Sequence, residues 1–222
     1  MIIGFAGKAA SGKTTAAHFL KNSLPGETLI IPMAMVLRDE VEAFLRRSGA
    51  DAHVPLLYGS QDNKVTVFQV DTARALAACE RWPHFMTEHR DIQDGSGRTA
   101  VTVRRILQWW GTEYRRAQDP DYWTKAWGRK VEQYDLSRIN ILVDDVRFMN
   151  ELEVIRAHGG RIVKIERPGF LGANNHASET SLDDFADWDA IVVNDGTLGE
   201  FEGKIGELKG FLLACCHGEA DA

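Results

Sequence analysis

The chain has few cysteines, three among 222 residues, and they are Cys79, Cys215 and Cys216. Two of them are adjacent, and none has the spacing of a disulfide framework or of a zinc site. We therefore expect reduced thiols, no structural metal and a cytoplasmic location, since disulfides persist mainly in oxidising compartments.

Long hydrophobic runs are absent as well, since no apolar run approaches the roughly 20 residues of a membrane-spanning helix. The first apolar run, residues 2–6, is too short for a signal peptide and lacks its positive flank. We therefore expect no membrane partner, and we interpret this run as a buried strand.

Positive charge is in deficit, because 26 Lys and Arg residues face 32 Asp and Glu residues, giving a net charge of −6. Proteins that coat nucleic acids gain affinity from clustered positive charge through counterion release. A nucleic-acid polymer is therefore not the expected partner. A small polyanionic substrate is still compatible, because a local pocket of Arg and Lys focuses positive potential even in an acidic protein.

Five short apolar runs predict buried strands, and each is followed by a helical pattern. The runs cover residues 2–6, 28–31, 139–143, 161–166 and 190–193. Continuous apolar runs, without alternation, are typical of a parallel sheet covered on both faces. The last helix follows a capping-box sequence at 197–200. Strands that alternate with helices predict a doubly wound α/β fold.

The middle of the chain is less regular. Residues 49–100 contain scattered Gly, Pro and Asp, with one predicted helix near 71–81 and a predicted turn at 94–97. We interpret this stretch as an insertion that covers the substrate end of the sheet. Two further helices are predicted over 102–116 and 121–133.

A glycine-rich loop follows the first predicted strand and precedes the first predicted helix. Its glycines allow backbone N–H groups to surround phosphate oxygens, and the helix N-terminus adds partial positive charge. Lys13 is expected to reach the β- and γ-phosphates, and the Thr14 hydroxyl to bind Mg²⁺. The loop therefore predicts a site for ATP or GTP, formed by Gly7, Lys8, Ala9, Ala10, Ser11, Gly12, Lys13 and Thr14 with Thr15 next.

A second metal ligand is expected from the acidic pair Asp144 and Asp145, which ends the third predicted strand. Ligands of α/β proteins bind at the carboxyl edge of the sheet, where this pair lies. Because side chains alternate along a strand, only one of the two is expected to point at the nucleotide. The alternative is a solvated acidic turn.

The predicted helix over 102–116 has a polar stripe, formed by Arg104, Gln108, Thr112 and Arg115. Guanidinium groups suit bidentate contact with phosphate, so the stripe could bind a phosphate and a base. A solvated face is the alternative explanation. Trp109 lies beside the stripe, where it either stacks on a base or packs against the insertion.

Further motifs follow in a fixed order, at 103–113, 121–123, 145–151, 166–169, 176–179 and 193–198. Together with the phosphate loop, this set resembles the deoxynucleoside monophosphate kinases of tailed bacteriophages. The resemblance covers about residues 1–20 and 102–213. Within 49–100 it is loose and centres on 57–59 and Lys64.

The resemblance implies a P-loop NTPase fold with a five-stranded parallel sheet in the order 2-3-1-4-5 and helices on both faces. Residues 1–222 would form a single kinase domain, with a helical substrate-binding insertion at about 33–135 and a lid-like loop at about 167–180. It implies ATP and Mg²⁺ as cosubstrates and a deoxynucleoside monophosphate as acceptor. Related kinases are often homodimers, and a phage enzyme would act in the host cytoplasm.

The resemblance also suggests roles for single residues. The expected catalytic residues are Lys13, Arg147, Asp145 and Arg104. Arg167 and Asn194 join the phosphate loop as expected cofactor-binding residues. The expected substrate-binding residues are Arg104, Gln108, Thr112, Arg115 and Lys64. Residues 169–175 contain no arginine, whereas the lids of the long-lid cellular kinases are arginine-rich.

Other functions are compatible with the loop alone. One is another small-molecule P-loop kinase, such as a dephospho-coenzyme A or nucleoside kinase. A second is a kinase that acts on a modified base in DNA, against which the acidic net charge counts. A third is a nucleotide-binding regulator without transfer activity, and the polar stripe together with Asp145 and Arg147 favours an enzyme over it.

Overall fold

A computed structural model of the chain describes residues 1–60, 62–89, 96–169 and 177–218, with the backbone alone for 215–218. Its contacts divide the chain into two compact units. The first unit comprises Met1–Met33 and Thr124–Ala222, and the second comprises Ala34–Trp123. Each unit has its own hydrophobic core.

The helices and strands are numbered here in chain order. They are β1 (Ile2–Ala6), α1 (Lys13–Ser23), β2 (Glu27–Ile30), α2 (Met35–Arg47), β3 (Val67–Asp71), α3 (Thr72–Ala78), α4 (Trp82–Glu88), β4 (Arg98–Thr102), α5 (Val103–Trp109), α6 (Tyr122–Val131), β5 (Ile139–Val146), α7 (Met149–Ala157), β6 (Arg161–Glu166), α8 (Ala177–Thr180), β7 (Ala190–Val193) and α9 (Leu198–Gly218). Two 3₁₀ segments cover Asp51–Leu57 and Asn63–Val65, and a π-helical segment covers Trp110–Arg116.

The first unit contains a parallel sheet with the strand order β2-β5-β1-β6-β7. This five-stranded sheet with helices around it confirms the predicted α/β class. Numbered over the whole chain, the order is 2-5-1-6-7, whereas the predicted order 2-3-1-4-5 counted only the strands of this sheet. The numbers differ because β3 and β4, which belong to the second unit, come between β2 and β5 in the sequence.

Side chains of β1 alternate between two buried faces. Ile3 and Phe5 pack in one cluster with α1 and α9, whose members include Leu20 and Phe201. Gly4, between them, lies against Ile155 of α7. The alternation follows from the two-residue period of a strand, and it explains why β1 is apolar throughout its length.

The helix α9 begins at the capping box that the sequence predicted. The Thr197 N–H donates to Glu200 Oε2 at 2.7 Å, and the Glu200 N–H donates to Thr197 Oγ1 at 3.3 Å. These reciprocal bonds satisfy N–H groups that the first helical turn leaves without a partner. The cap fixes the start of α9, so that Phe201 and Ile205 enter the core.

The strand β5 has an irregularity opposite β1. Gly4 pairs with Val143 and Ala6 pairs with Val146, so Asp144 and Asp145 together lie opposite Phe5. An extra residue of this kind re-aims the neighbouring side chains. The predicted strand 139–143 therefore continues through both acids to Val146.

The second unit contains more regular structure than the sequence pattern predicted for 49–100. β3 and β4 pair antiparallel, from Val67 opposite Thr102 to Asp71 opposite Arg98. The helix predicted near 71–81 is α3, which ends at Ala78, and α4 follows it. The pairing of β3 with β4 was missed because the two strands are far apart in sequence, and no local turn signal links them. Part of the predicted turn at 94–97 lies outside the described residues.

The helix predicted over 102–116 is not one α-helix. It is α-helical from Val103 to Trp109 and π-helical from Trp110 to Arg116. Gly111 lies in the wider segment, and a Cβ atom on it would come 3.2 Å from Leu37 Cδ2 of α2. The π-helical turn inserts an extra residue, so side chains beyond Trp110 turn away from the positions that an α-helical count predicts. Among the described residues, no helix combines the length and the apolar character that crossing a membrane requires.

The core of the second unit predicts a stability effect. Phe44 is 2% exposed, and its ring lies 4.7 Å from that of Trp82 and 5.2 Å from that of Trp110. Phe44→Ala should lower the free energy of unfolding by about 3–5 kcal/mol, because it removes a buried ring and leaves a cavity. Urea unfolding followed by tryptophan fluorescence measures this effect.

Leu76→Ala provides the control for Phe44→Ala, because Leu76 lies in the same unit and is 42% exposed. We expect a change within about 0.5 kcal/mol for this surface substitution. A Phe44→Ala protein as stable as the Leu76→Ala protein would contradict the assignment of this core.

Candidate functional site

The glycine-rich loop lies between the end of β1 and the start of α1, with backbone angles that its two glycines permit. Gly7 has φ 139° and Gly12 has φ 110°. A Cβ atom on Gly7 would lie 2.3 Å from the Ile165 carbonyl oxygen, and one on Gly12 would lie 2.7 Å from Asn194 Nδ2. Any side chain at either position would therefore push the loop away from the neighbouring strands.

The Lys13 side chain folds back over the loop. Its Nζ donates to the carbonyl oxygens of Gly7, at 2.6 Å, and of Lys8, at 2.7 Å. The residue is only 6% exposed. The ammonium group is thus held at the mouth of the loop by backbone acceptors.

The pKa of Lys13 lies far below its ordinary value. This pKa is lowered to about 7, mainly by burial and also by the positive charge of Arg147. Three nearby carboxylates, those of Glu179, Asp145 and Asp144, act in the opposite direction. An anion bound in the loop would likewise favour the charged ammonium group.

The two acids at the end of β5 have different hydrogen-bond partners. The Thr14 Oγ1 donates to Asp144 Oδ2 at 2.7 Å, whereas Asp145 Oδ1 accepts the Met33 N–H at 2.7 Å. Asp144 is 8% exposed, and its other oxygen, Oδ1, is buried and has no hydrogen-bond partner among the described residues. A hydroxyl and a carboxylate are oxygen donors of the kind that Mg²⁺ prefers. The Thr14–Asp144 pair fits a metal better than Asp145, which is engaged by the backbone after β2.

Two further expected residues hold the loop from outside. Asn194 Nδ2 donates to the Ser11 carbonyl oxygen at 2.8 Å, and Arg167 Nη1 donates to the Ala10 carbonyl oxygen at 3.2 Å. Both bonds go to carbonyl oxygens of the loop. Because the N–H and C=O groups of a trans peptide point in opposite directions, the N–H groups of these peptides point away from Asn194 and Arg167. Asn194 and Arg167 therefore brace the phosphate loop in this structure.

Arg147 follows β5 and lies close to the same loop. Its Nη1 donates to Glu179 Oε1 and, at 3.1 Å, to the Ser178 carbonyl oxygen. The Glu151 carboxylate accepts the Arg147 N–H at 2.7 Å and the Phe148 N–H at 3.1 Å. These bonds fix the turn between β5 and α7, and with it the base of the Arg147 side chain.

Comparison with known proteins supports a specific family. A family model described as deoxynucleotide monophosphate kinase matches residues 58–205, about two thirds of the chain. The chain belongs to the deoxynucleotide monophosphate kinase family. This membership confirms the resemblance that the ordered motifs suggested.

Individual relatives agree with this membership. A putative deoxynucleotide monophosphate kinase of Acanthamoeba polyphaga mimivirus is 28% identical over 218 residues, which cover 92% of this chain and 94% of the relative. The deoxynucleotide monophosphate kinase of Enterobacteria phage T4 is 30% identical over 106 residues, which cover 47% of this chain and 44% of the relative. That of Escherichia phage RB69 is 30% identical over 106 residues, covering 47% of this chain and 43% of the relative.

In this kinase the polar stripe lies in the second unit, on α5 and the π-helical segment. Arg104, Gln108, Thr112 and Arg115 are all half-buried, so the stripe is not a fully solvated face. Lys64 is also half-buried, and its 3₁₀ segment contacts α5. The expected substrate-binding residues therefore lie on α5, on the π-helical segment that continues it, or on the 3₁₀ segment that contacts it.

Arg115 of the stripe is engaged inside the unit. Its Nε donates to Glu40 Oε2 at 2.8 Å, and its guanidinium carbon lies 4.5 Å from the Tyr114 ring centre. Glu40 also accepts the Trp110 Nε1–H at 2.8 Å and the Tyr122 hydroxyl at 2.5 Å. Sequence reasoning missed Glu40, since nothing in the pattern of α2 distinguishes it from its acidic neighbours.

Trp109 belongs to the hydrophobic core of the second unit. It is 2% exposed and stacks on Tyr114 with ring centres 5.4 Å apart. Of the two roles open to Trp109, the structure thus favours packing over stacking on a base. Trp123 is 4% exposed, and its Nε1 donates to the Gly111 carbonyl oxygen at 2.9 Å.

Residues 170–176 of the expected lid-like loop, including His176 of its motif, lie outside the described residues.

The phosphate loop contains one residue whose backbone is strained. Ala10 has φ 60°, in the left-handed region that disfavours side chains. Ala10→Gly should raise the free energy of unfolding by up to about 1 kcal/mol, because the relieved strain exceeds the added entropy of the unfolded chain. Urea unfolding of the nucleotide-free protein measures the change.

Ala9→Gly is the matched control, since Ala9 is the preceding residue and has no positive φ. That variant should be less stable than the wild type by about 1–2 kcal/mol, because glycine adds entropy to the unfolded chain and the buried Ala9 methyl group is lost, with no strain relieved. An Ala10→Gly protein less stable than the wild type would show that Ala10 carries no strain.

Proposed function

We propose that this kinase transfers the γ-phosphoryl group of ATP to deoxynucleoside monophosphates, with Mg²⁺, and yields deoxynucleoside diphosphates and ADP. The observation that carries the proposal is the family match over residues 58–205. These residues lie outside the phosphate loop, which many NTPases share. The match therefore supports the class of acceptor as well as the binding of a nucleoside triphosphate. The relatives named as deoxynucleotide monophosphate kinases support the same acceptor class.

We assign Mg²⁺ to Thr14 and Asp144, with Asp145 as a structural acid. Support comes from the Thr14–Asp144 hydrogen bond of 2.7 Å and from the buried Asp144 oxygen, which no described residue contacts by a hydrogen bond. A bound divalent ion supplies neutralisation of phosphate charge. Asp145 accepts the Met33 N–H and so supports the chain after β2.

The phosphoryl transfer needs positioning and charge stabilisation more than covalent chemistry. The phosphate of the acceptor is already ionised near neutral pH, so Asp144 and Asp145 have no proton to abstract. Lys13 and the loop N–H groups bind the donor phosphates, and Arg147 offsets charge on the transferring group. This assignment of Arg147 rests on its place beside the phosphate loop, through Glu179.

For the acceptor we propose the half-buried residues Arg104, Gln108, Thr112 and Lys64 of the second unit. An arginine and a lysine provide charge for a monophosphate, and the amide of Gln108 can donate to and accept from a base. Arg115 is already paired with Glu40, so we propose that it holds the stripe in place.

The experiment that tests the function measures ADP release from ATP and Mg²⁺ with dAMP, dCMP, dGMP, dTMP or AMP supplied separately. At least one deoxynucleotide should accelerate ADP release and appear as its diphosphate. Lys13→Ala is the control for contaminating kinases, since loss of a well-placed cation costs about 10²-fold or more in rate. ATP binding without acceleration by any of the five acceptors would contradict the proposed function.

The division of tasks between the two acids predicts different magnesium dependences. Asp144→Asn should cut turnover at low Mg²⁺ by about 10-fold or more, because the ion loses a charged ligand. Asp145→Asn keeps an oxygen that can accept the Met33 N–H, so its magnesium dependence should resemble that of the wild type. Titration of turnover with Mg²⁺ at fixed ATP measures both, and the reverse pattern would make Asp145 the ligand.

A further inference from the structure

The short helix α8 is attached to the phosphate loop through Glu179. Its Oε2 accepts the Ala9 N–H at 2.8 Å, and its Oε1 accepts Arg147 Nη1. The side chain is 4% exposed. The carboxylate therefore connects the backbone of the loop to the guanidinium group of Arg147, with one oxygen for each.

The surrounding bonds fix the segment that carries Glu179. Lys8 Nζ donates to the Glu179 carbonyl oxygen at 2.6 Å and pairs with Asp183. The backbone at Arg147 is held separately by Glu151, at 2.7 Å. Glu151 therefore fixes the backbone of Arg147, and Glu179 fixes its guanidinium group.

A buried carboxylate beside a triphosphate loop is unfavourable unless something compensates for it. Burial disfavours an ionised carboxylate, and its charge repels the phosphates of ATP. Here an arginine and a backbone N–H satisfy it. Arg147 carries five N–H donors, and its side chain is 26% exposed, so pairing with Glu179 does not use up its capacity to bind an anion.

We propose that Glu179 is a positioning residue, which holds the Arg147 guanidinium group against the phosphate loop so that it faces the γ-phosphate of bound ATP. The proposal rests on the proposed function for the phosphoryl-transfer step, and on the loop geometry alone for the binding step. Glu179 acts through Arg147 and does not itself contact the substrate. Without Glu179, the 3.1 Å bond to the Ser178 carbonyl oxygen still holds Arg147 Nη1, but the guanidinium group samples more rotamers. Misplacement by about 1 Å costs on the order of 10²-fold in rate.

A competing explanation is that Glu179 occupies the phosphate site and obstructs ATP. The two explanations predict opposite signs for Glu179→Ala. An obstructing carboxylate would, once removed, increase ATP affinity or turnover. A positioning carboxylate would, once removed, decrease the preference for ATP over ADP, because only ATP has the γ-phosphate.

The test is a double-mutant cycle of wild type, Glu179→Ala, Arg147→Ala and the double variant, with two measurements. The first is the ratio of the ADP and ATP dissociation constants, obtained by calorimetry. The second is turnover with the best acceptor. Each single substitution should lower both quantities, turnover by about 10–100-fold, and the double variant should lose no more than Arg147→Ala. Losses that multiply, or a gain in Glu179→Ala, would overturn the proposal.

Matched variants separate positioning from folding. Glu179→Gln keeps the volume and one acceptor oxygen, so it should lie between the wild type and Glu179→Ala in both measurements. Asp184→Asn removes a carboxylate from the exposed surface of the same segment and should leave both quantities near wild type. A purely structural role would change ADP and ATP affinity equally and leave their ratio unchanged, which would also overturn the proposal.

The two measurements also separate this proposal from the proposed function. A wild type that transfers nothing to any monophosphate, with a non-additive affinity cycle, would refute the function and leave the role of Glu179 standing. A wild type that transfers phosphate, with an additive affinity cycle, would refute the role of Glu179 and leave the proposed function standing.

Discussion

The close approach of the phosphate loop to the strands beside it is the constraint on which the rest of the first unit depends. At Gly7 the backbone passes the Ile165 carbonyl group, and at Gly12 it passes Asn194 and Phe201, with no room for a Cβ atom at either point. The apolar cluster that contains Ile165 and Phe201 therefore determines where the loop lies. The packing of α9 against the sheet therefore fixes the positions of the backbone N–H groups of the loop.

The irregularity of β5 solves a second problem, that of giving adjacent acids different tasks. Asp144 and Asp145 lie together opposite Phe5, and one reaches Thr14 while the other accepts the Met33 N–H. Regular alternation also predicts different directions for neighbours, but it does not say which acid turns toward the loop. That choice depends on where the register with β1 slips, which is a property of the paired strands.

Local patterns predicted the first unit well. β1, β6 and β7 have the predicted bounds, and the capping box of α9 is present, because apolar runs and capping sequences act over a few residues. The second unit was harder, since the β3–β4 pairing and the bonds of Glu40 join residues far apart in sequence. The π-helical turn at Gly111 is local, but the apolar spacing of 102–116 also fits an ordinary α-helix. Glu179 stands in a motif that the resemblance included, yet only the folded chain shows its two partners.

Each unit holds one arginine in place with a largely buried glutamate, and the two cases have different consequences. A long side chain loses about 2 kcal/mol of rotamer entropy when it is ordered, so ordering it before a ligand binds removes that cost from binding. Arg115 is bonded to Glu40 and lies over the rings of Tyr114 and Tyr122. Two rings lie against its guanidinium group, which suits a support. Arg147 has a carboxylate on one side and no ring contact among those of the described residues, which suits a group kept ready for an anion.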